Sequence, residues 1–245
     1  MKTSFALLRT CCLSALVTVV TSIPLSARVI QAATIHTPVG NVAFELVGQV
    51  LNPSPATSMQ YGFLSQINGI DLDSIYSASP HGESTALFTF FTDAANTQVI
   101  NDGQLRIVNR TGLTTIYLDP SHGDFSNVDS FKDGTPILTA TLQQQVILDT
   151  FAGTFTATNM NAVTSATPFT LGDDSFQLAE IGQQFRTSIS GRGNSTQTPA
   201  GFVIAGHAVA IEPVPEPTSL ALLAVGALAL LRFMRGFGAN CRILR

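Results

Sequence analysis

Ser84-Thr85-Ala86-Leu87-Phe88-Thr89-Phe90-Phe91-Thr92 and Thr150-Phe151-Ala152-Gly153-Thr154-Phe155-Thr156-Ala157-Thr158 alternate threonine with phenylalanine and small apolar residues. A period of two sends successive side chains to opposite faces of a strand, and β-branched and aromatic residues suit a half-buried pleated surface. The same pattern over residues 42–51, 105–108, 113–118, 136–148 and 202–211 predicts further strands. Asn101-Asp102-Gly103 is predicted to close a hairpin between Thr97-Gln98-Val99-Ile100 and Gln104-Leu105-Arg106-Ile107-Val108, while Asn68-Gly69 and Asp133-Gly134 mark further reversals. Many short strands separated by Gly and Asp turns predict an all-β single domain, an antiparallel β-sandwich or jelly roll. Residues 174–186 fit either a short helix with Phe176, Ala179, Ile181 and Phe185 on one face or an irregular strand, and the strand is preferred. Gly191-Arg192-Gly193-Asn194-Ser195-Thr196-Gln197-Thr198-Pro199-Ala200 reads as an exposed loop before the last strand.

The two ends depart from this pattern. Lys2 and Arg9 followed by an apolar run at residues 13–23 and by Pro24 have the form of a secretory signal peptide, expected as a helix within residues 1–33. Ala27, Ala32 and Ala33 are candidate cleavage points. Arg9 and Thr10 stand where a lipoprotein signal before Cys11 or Cys12 needs small apolar residues, and the apolar run follows those cysteines instead of preceding them. Near the other end, Pro213, Pro215 and Pro217 hold the backbone extended and exclude helix until Thr218 or Ser219 caps it. The apolar residues Leu220, Leu222, Leu223, Val225, Leu228, Leu230 and Leu231 then predict a short transmembrane helix. Twelve residues, 220–231, span only about 18 Å, against a hydrocarbon core of about 30 Å. The anchor is therefore expected to hold weakly or transiently. Arg232 and Arg235 are read as its stop-transfer residues, and the basic tail, residues 236–245, is expected to stay cytoplasmic with the domain outside.

Val214-Pro215-Glu216-Pro217, the hydrophobic segment and the arginines together resemble the PEP-CTERM sorting signal of bacterial exported proteins, over residues 213–235. The resemblance implies recognition of Val214, Pro215, Glu216 and Pro217 by an exosortase-type membrane processing enzyme. It also implies passage through the secretion machinery, transient residence in the cytoplasmic membrane, and release or attachment at the surface, often beside exopolysaccharide. The tail beyond Arg235, with Cys241, is longer than in many members of that family.

Residues 34–212 are left as one exported domain. All three cysteines, Cys11, Cys12 and Cys241, fall outside it, so its fold rests on its core without disulfides. It carries fifteen acidic residues against five basic ones, Arg106, Arg110, Lys132, Arg186 and Arg192, a balance that argues against nucleic acid as a partner.

Catalytic signatures are missing: no Gly-x-Ser-x-Gly, His-Glu-x-x-His, Cys-x-x-Cys or phosphate-binding glycine loop occurs. No cofactor, metal ligand set or catalytic residue is therefore assigned. His36, His81, His122 and His207 have no metal-ligand rhythm, and His207 reads as a strand residue. Asp119, His122 and Asp124 read as a turn in preference to a water-polarising or metal-binding pair. Asp71-Leu72-Asp73-Ser74 and residues 124–129 space oxygen ligands as calcium loops do but complete no EF-hand. Thr139-Ala140-Thr141 and Thr156-Ala157-Thr158 put hydroxyls on one strand face, but two pairs do not make the regular array of an ice-binding surface. The expectation is a non-enzymatic surface or extracellular-matrix protein. The alternative is a carbohydrate- or calcium-binding sandwich module associated with exopolysaccharide, weakened by the absence of tryptophan and by only three tyrosines.

Overall fold

A computed structural model of the chain describes residues 32–194 and 201–212. Within them lie β1 (Ala33–Thr34), β2 (Val42–Ser54), β3 (Thr57–Ile67), β4 (Phe88–Asp102), β5 (Leu105–Leu118), β6 (Thr135–Asp149), β7 (Thr154–Ala166), β8 (Phe169–Leu171), β9 (Asp174–Gln177), β10 (Gln184–Asn194) and β11 (Gly201–Ile211). Short 3-10 turns occupy Leu72–Ile75 and Val128–Phe131. Eight of the strands close into a barrel in the order β10-β11-β2-β3-β4-β5-β6-β7, and every neighbouring pair is antiparallel.

The expected sandwich or jelly roll is therefore wrong: the domain is an up-and-down barrel. The seam that decides this is β11 against β2, running from Phe202↔Val50 to Val209↔Val42, with β10 joining β11 to β7. It leaves no free edge, whereas each sheet of a sandwich keeps two. Local alternation is the same in both architectures, because either one buries one face of every strand. The signal helix expected within residues 1–33 and the membrane helix expected after Pro217 lie outside the described residues, save that Ala33 begins β1. Among the described residues, no helix is long and apolar enough to cross a membrane.

Strand boundaries differ from the expectation in an informative way. The hairpin at Asn101-Asp102-Gly103 forms, with Asp102 opposite Leu105 and Gly103 at φ +58°. Of the piece predicted at 84–92 only residues 88–92 are strand, and they belong with 97–100 to the single strand β4; those at 105–108 and 113–118 belong to the single strand β5, and β3 had no predicted counterpart. Thr150-Phe151-Ala152-Gly153 is a turn, not strand, and Phe151 is 82% exposed at its tip. Gly191–Asn194, expected in a loop, extend β10. Between residues 174 and 186 the chain is β9, a turn that leaves Ile181 exposed, and the start of β10.

Closure requires close backbone contact, and glycine supplies it between β2 and β3. Gly48 pairs with Gly62, where an added Cβ would strike the carbonyl oxygens of Tyr61 and Val47 respectively.

The interior is layered along the barrel axis. Leu46, Leu64, Phe90, Ile116, Leu138 and Phe185 fill one end. That end is covered by the excursion between β7 and β10, in which β8 and β9 form a small sheet with β1, and Phe169 meets Phe88 edge-on at 5.4 Å. Next comes a polar belt: Thr92 and Thr114 share a 2.8 Å hydroxyl contact, Gln144 Nε2 donates to Asn159 Oδ1 at 2.9 Å, and Asn161 Nδ2 donates to Thr187 Oγ1 at 2.9 Å. A void of only about 30 Å³ remains here, as expected for eight strands. A second core lies outside the wall, where the β5–β6 connection lays Phe131 and Phe125 over Tyr61, Leu51 and Met59.

Candidate functional site

The end of the barrel formed by the β2–β3, β4–β5 and β6–β7 turns opens into a cavity of about 380 Å³. Period-two alternation on β5 sets three residues, Arg106, Val108 and Arg110, into its wall. Val50, Val146, Leu148, Phe155 and Phe202 complete an apolar lining, with the last two rings edge-to-face at 5.2 Å. Asn52, Ser54, Gln60 and Asn96 supply neutral polar groups.

Arg110 is held by four such groups. Its Nε donates to Asn96 Oδ1 at 2.9 Å, Nη1 to Ser58 Oγ at 2.9 Å and Gln144 Oε1 at 3.3 Å, and Nη2 to Asn52 Oδ1 at 3.2 Å. These contacts fix the guanidinium but do not neutralise it. Burial, and secondarily repulsion from Arg106, bring its pKa down to about 10. Arg106 has no ion pair among the described residues, and its buried Nε finds no hydrogen-bond acceptor. No Asp, Glu, His, Cys or Lys lines the cavity among the described residues. The cavity therefore offers fixed positive charge beside apolar surface, without a general base beside its one hydroxyl, Ser54.

The residues singled out in the sequence do not come together there. His207 is exposed on the outer face of β11, opposite Ser188 and Glu45. Asp119, His122 and Asp124 form a turn: Asp119 Oδ1 accepts from Ser121 N at 2.9 Å, Asp124 Oδ1 from Ser126 N at 2.8 Å, and His122 sits at φ +65° between Ala86 O and Ser77 Oγ. Asp71 caps the turn at Leu72–Ile75, and Asp73 contacts His81 at 3.2 Å. Among the described residues no three His, Cys, Asp or Glu side chains converge to hold a metal ion. Thr141, Thr156 and Thr158 are exposed, and Thr139 half-buried, on the outer wall. Val214, Pro215, Glu216, Pro217, the anchor leucines with Val225, and Arg232 and Arg235 lie outside the described residues.

Sequence reasoning counted Arg106 and Arg110 only among the five bases of the domain. The available signal was parity: two arginines four apart, hence on the same face of a strand, with Val108 between them on that face and no acid from Leu105 through Leu118.

Comparison with known families finds a PEP-CTERM protein-sorting motif at residues 213–235. Such signals are recognised by exosortase, a membrane processing enzyme, so the motif implies exosortase-dependent sorting of an exported protein that transits the membrane. No curated protein and no solved structure matches the chain.

Proposed function

We propose that the chain is a non-enzymatic exported barrel, held briefly in the cytoplasmic membrane, processed near Pro215-Glu216-Pro217 and delivered to the cell surface or extracellular matrix. The observation that carries this reading is where the barrel hands over to the sorting motif. β11 starts at the open end, where Phe202 lines the cavity, and finishes at Ile211 beside Gln184, on the covered end. Glu212 and the motif at 213–235 follow at once. An anchor leaving there keeps the open mouth at the far end from the point of attachment. The absence of a nucleophile–base pair in the mouth, among the described residues, supports a binding or structural role over catalysis.

The carbohydrate-binding alternative gains little: Tyr61 and Tyr76 are buried, and so cannot serve as exposed stacking platforms. The test is expression of the tagged chain in an exosortase-bearing bacterium, in its exosortase-deficient derivative, and as the Arg232→Glu/Arg235→Glu double variant. A shortened, protease-accessible surface form is expected in the first alone. The same mass and location in all three would contradict the proposal.

A further inference from the structure

The domain carries fifteen acidic residues and only five basic ones, yet two of those five, Arg106 and Arg110, line one cavity that no described carboxylate enters. Both side chains are half-buried, and a cation partly withdrawn from water is ordinarily paired, because a desolvated charge without a counterion is costly. Arg110 is satisfied by neutral dipoles, and Arg106 has neither acceptor nor ion pair among the described residues. Arg106 therefore has no evident part in holding the barrel together. The remaining wall is apolar, from Val50, Val108, Val146, Leu148, Phe155 and Phe202. A cavity of about 380 Å³ falls at the small end of the size range of sites that bind small molecules.

We infer that the barrel mouth is a binding site for a small amphipathic anion, a monocarboxylate with a short apolar body. The carboxylate pairs with Arg106 and with the one remaining N–H of Arg110, on Nη2, and the hydrocarbon lies against the valines, Leu148 and the two phenylalanines. Arginine suits this role because its planar fork matches a carboxylate with two parallel hydrogen bonds. A purely apolar ligand would leave both charges unmatched, and a bulk inorganic anion would leave the apolar wall wet. Val99, about two-fifths exposed and paired with the inward-facing Val108 on the β4–β5 hairpin, adds apolar surface at this end.

The test is isothermal titration of the full chain, held in nanodiscs of zwitterionic lipid with empty discs as the blank, against octanoate, octan-1-ol, acetate and hexadecanoate. Octanoate is expected to bind at least tenfold more tightly than octan-1-ol and than acetate. Arg106→Gln, which breaks no described hydrogen bond, is expected to lower octanoate affinity at least tenfold while leaving the circular dichroism spectrum unchanged. Arg186→Gln, on the exposed outer face of β10, serves as the control and is expected to bind as the unaltered chain does. Tighter binding of hexadecanoate than of octanoate would overturn the assignment of a short apolar body. Equal affinity for octanoate and octan-1-ol, equal affinity for octanoate and acetate, unaltered binding by Arg106→Gln, or no binding by folded protein would each overturn the inference. None of these outcomes bears on sorting, which rests on residues 213–235.

Discussion

Arg110 on β5 reaches past β4 to donate from Nη1 to Ser58 Oγ on β3 at 2.9 Å, and Ser58 is fully buried. The bond ties together two strands that are not neighbours, and it sets the charged head between the polar belt and the open mouth. Arg110→Met keeps much of the side-chain volume but leaves Ser58 and Gln144 without this donor. A loss of about 1–3 kcal/mol is expected, read as a lower urea midpoint with an unchanged slope. An unaltered midpoint would show that the network carries no net stability.

Gly62→Val should be among the most damaging single changes in the barrel wall. The new Cβ meets the Val47 carbonyl oxygen and the Gly48 backbone, neither of which can withdraw without opening the β2–β3 pairing, and the ring of Phe90 on β4. Overpacking of this kind costs about 1–3 kcal/mol, and more when backbone must move. Thermal melting followed by circular dichroism measures it, and a wild-type melting temperature would contradict the close approach.

The outer core makes an independent prediction. Phe131 is completely buried, with its ring 5.2 Å from that of Tyr61 and 5.0 Å from that of Phe125. Phe131→Ala should destabilise the domain by about 3–5 kcal/mol if the connection folds with the barrel as one unit. A smaller loss, accompanied by protease cleavage between residues 119 and 134, would mean that the connection opens separately.

Asp119 gives a pH dependence with a definite sign. Burial raises its carboxyl above the usual carboxylate range, outweighing the hydrogen bond from the Ser121 N–H, and Oδ2 has no partner. A raised folded-state value means that the unfolded chain ionises first as pH rises above about 3.9, so stability falls from there up to the folded value. Asp119→Asn should therefore melt higher than the unaltered protein at pH 7 and match it at pH 3. An equal difference at both pH values would remove the carboxyl charge as the cause.

The all-β class, the hairpin at Gly103 and the strands of residues 136–148 and 202–211 were legible because their alternation is uninterrupted. Breaks appeared where the barrel's own polar interior shows through the pattern. Arg110 and Gly112 split β5 into two apparent strands, Asn96 stands between the predicted pieces of β4, and Ser58, Gln60 and Gly62 hid β3 altogether. An inward polar residue is indistinguishable in sequence from an outward one, and three of the residues that obscured the strands, Arg110, Asn96 and Gln60, line the cavity. Closure was illegible for a different reason. It depends on β11 meeting β2, two strands at opposite ends of the domain, and no local periodicity records that pairing. The sorting segment was legible because proline, acid, apolar run and arginines occur in fixed order within 23 consecutive residues.

Intact mass spectrometry of the protein recovered from the surface or medium of its native host is predicted to show a chain shortened at both ends, lacking the leader and the apolar segment with its arginines. Recovery of the full 25.9 kDa chain from the cytosol would contradict it.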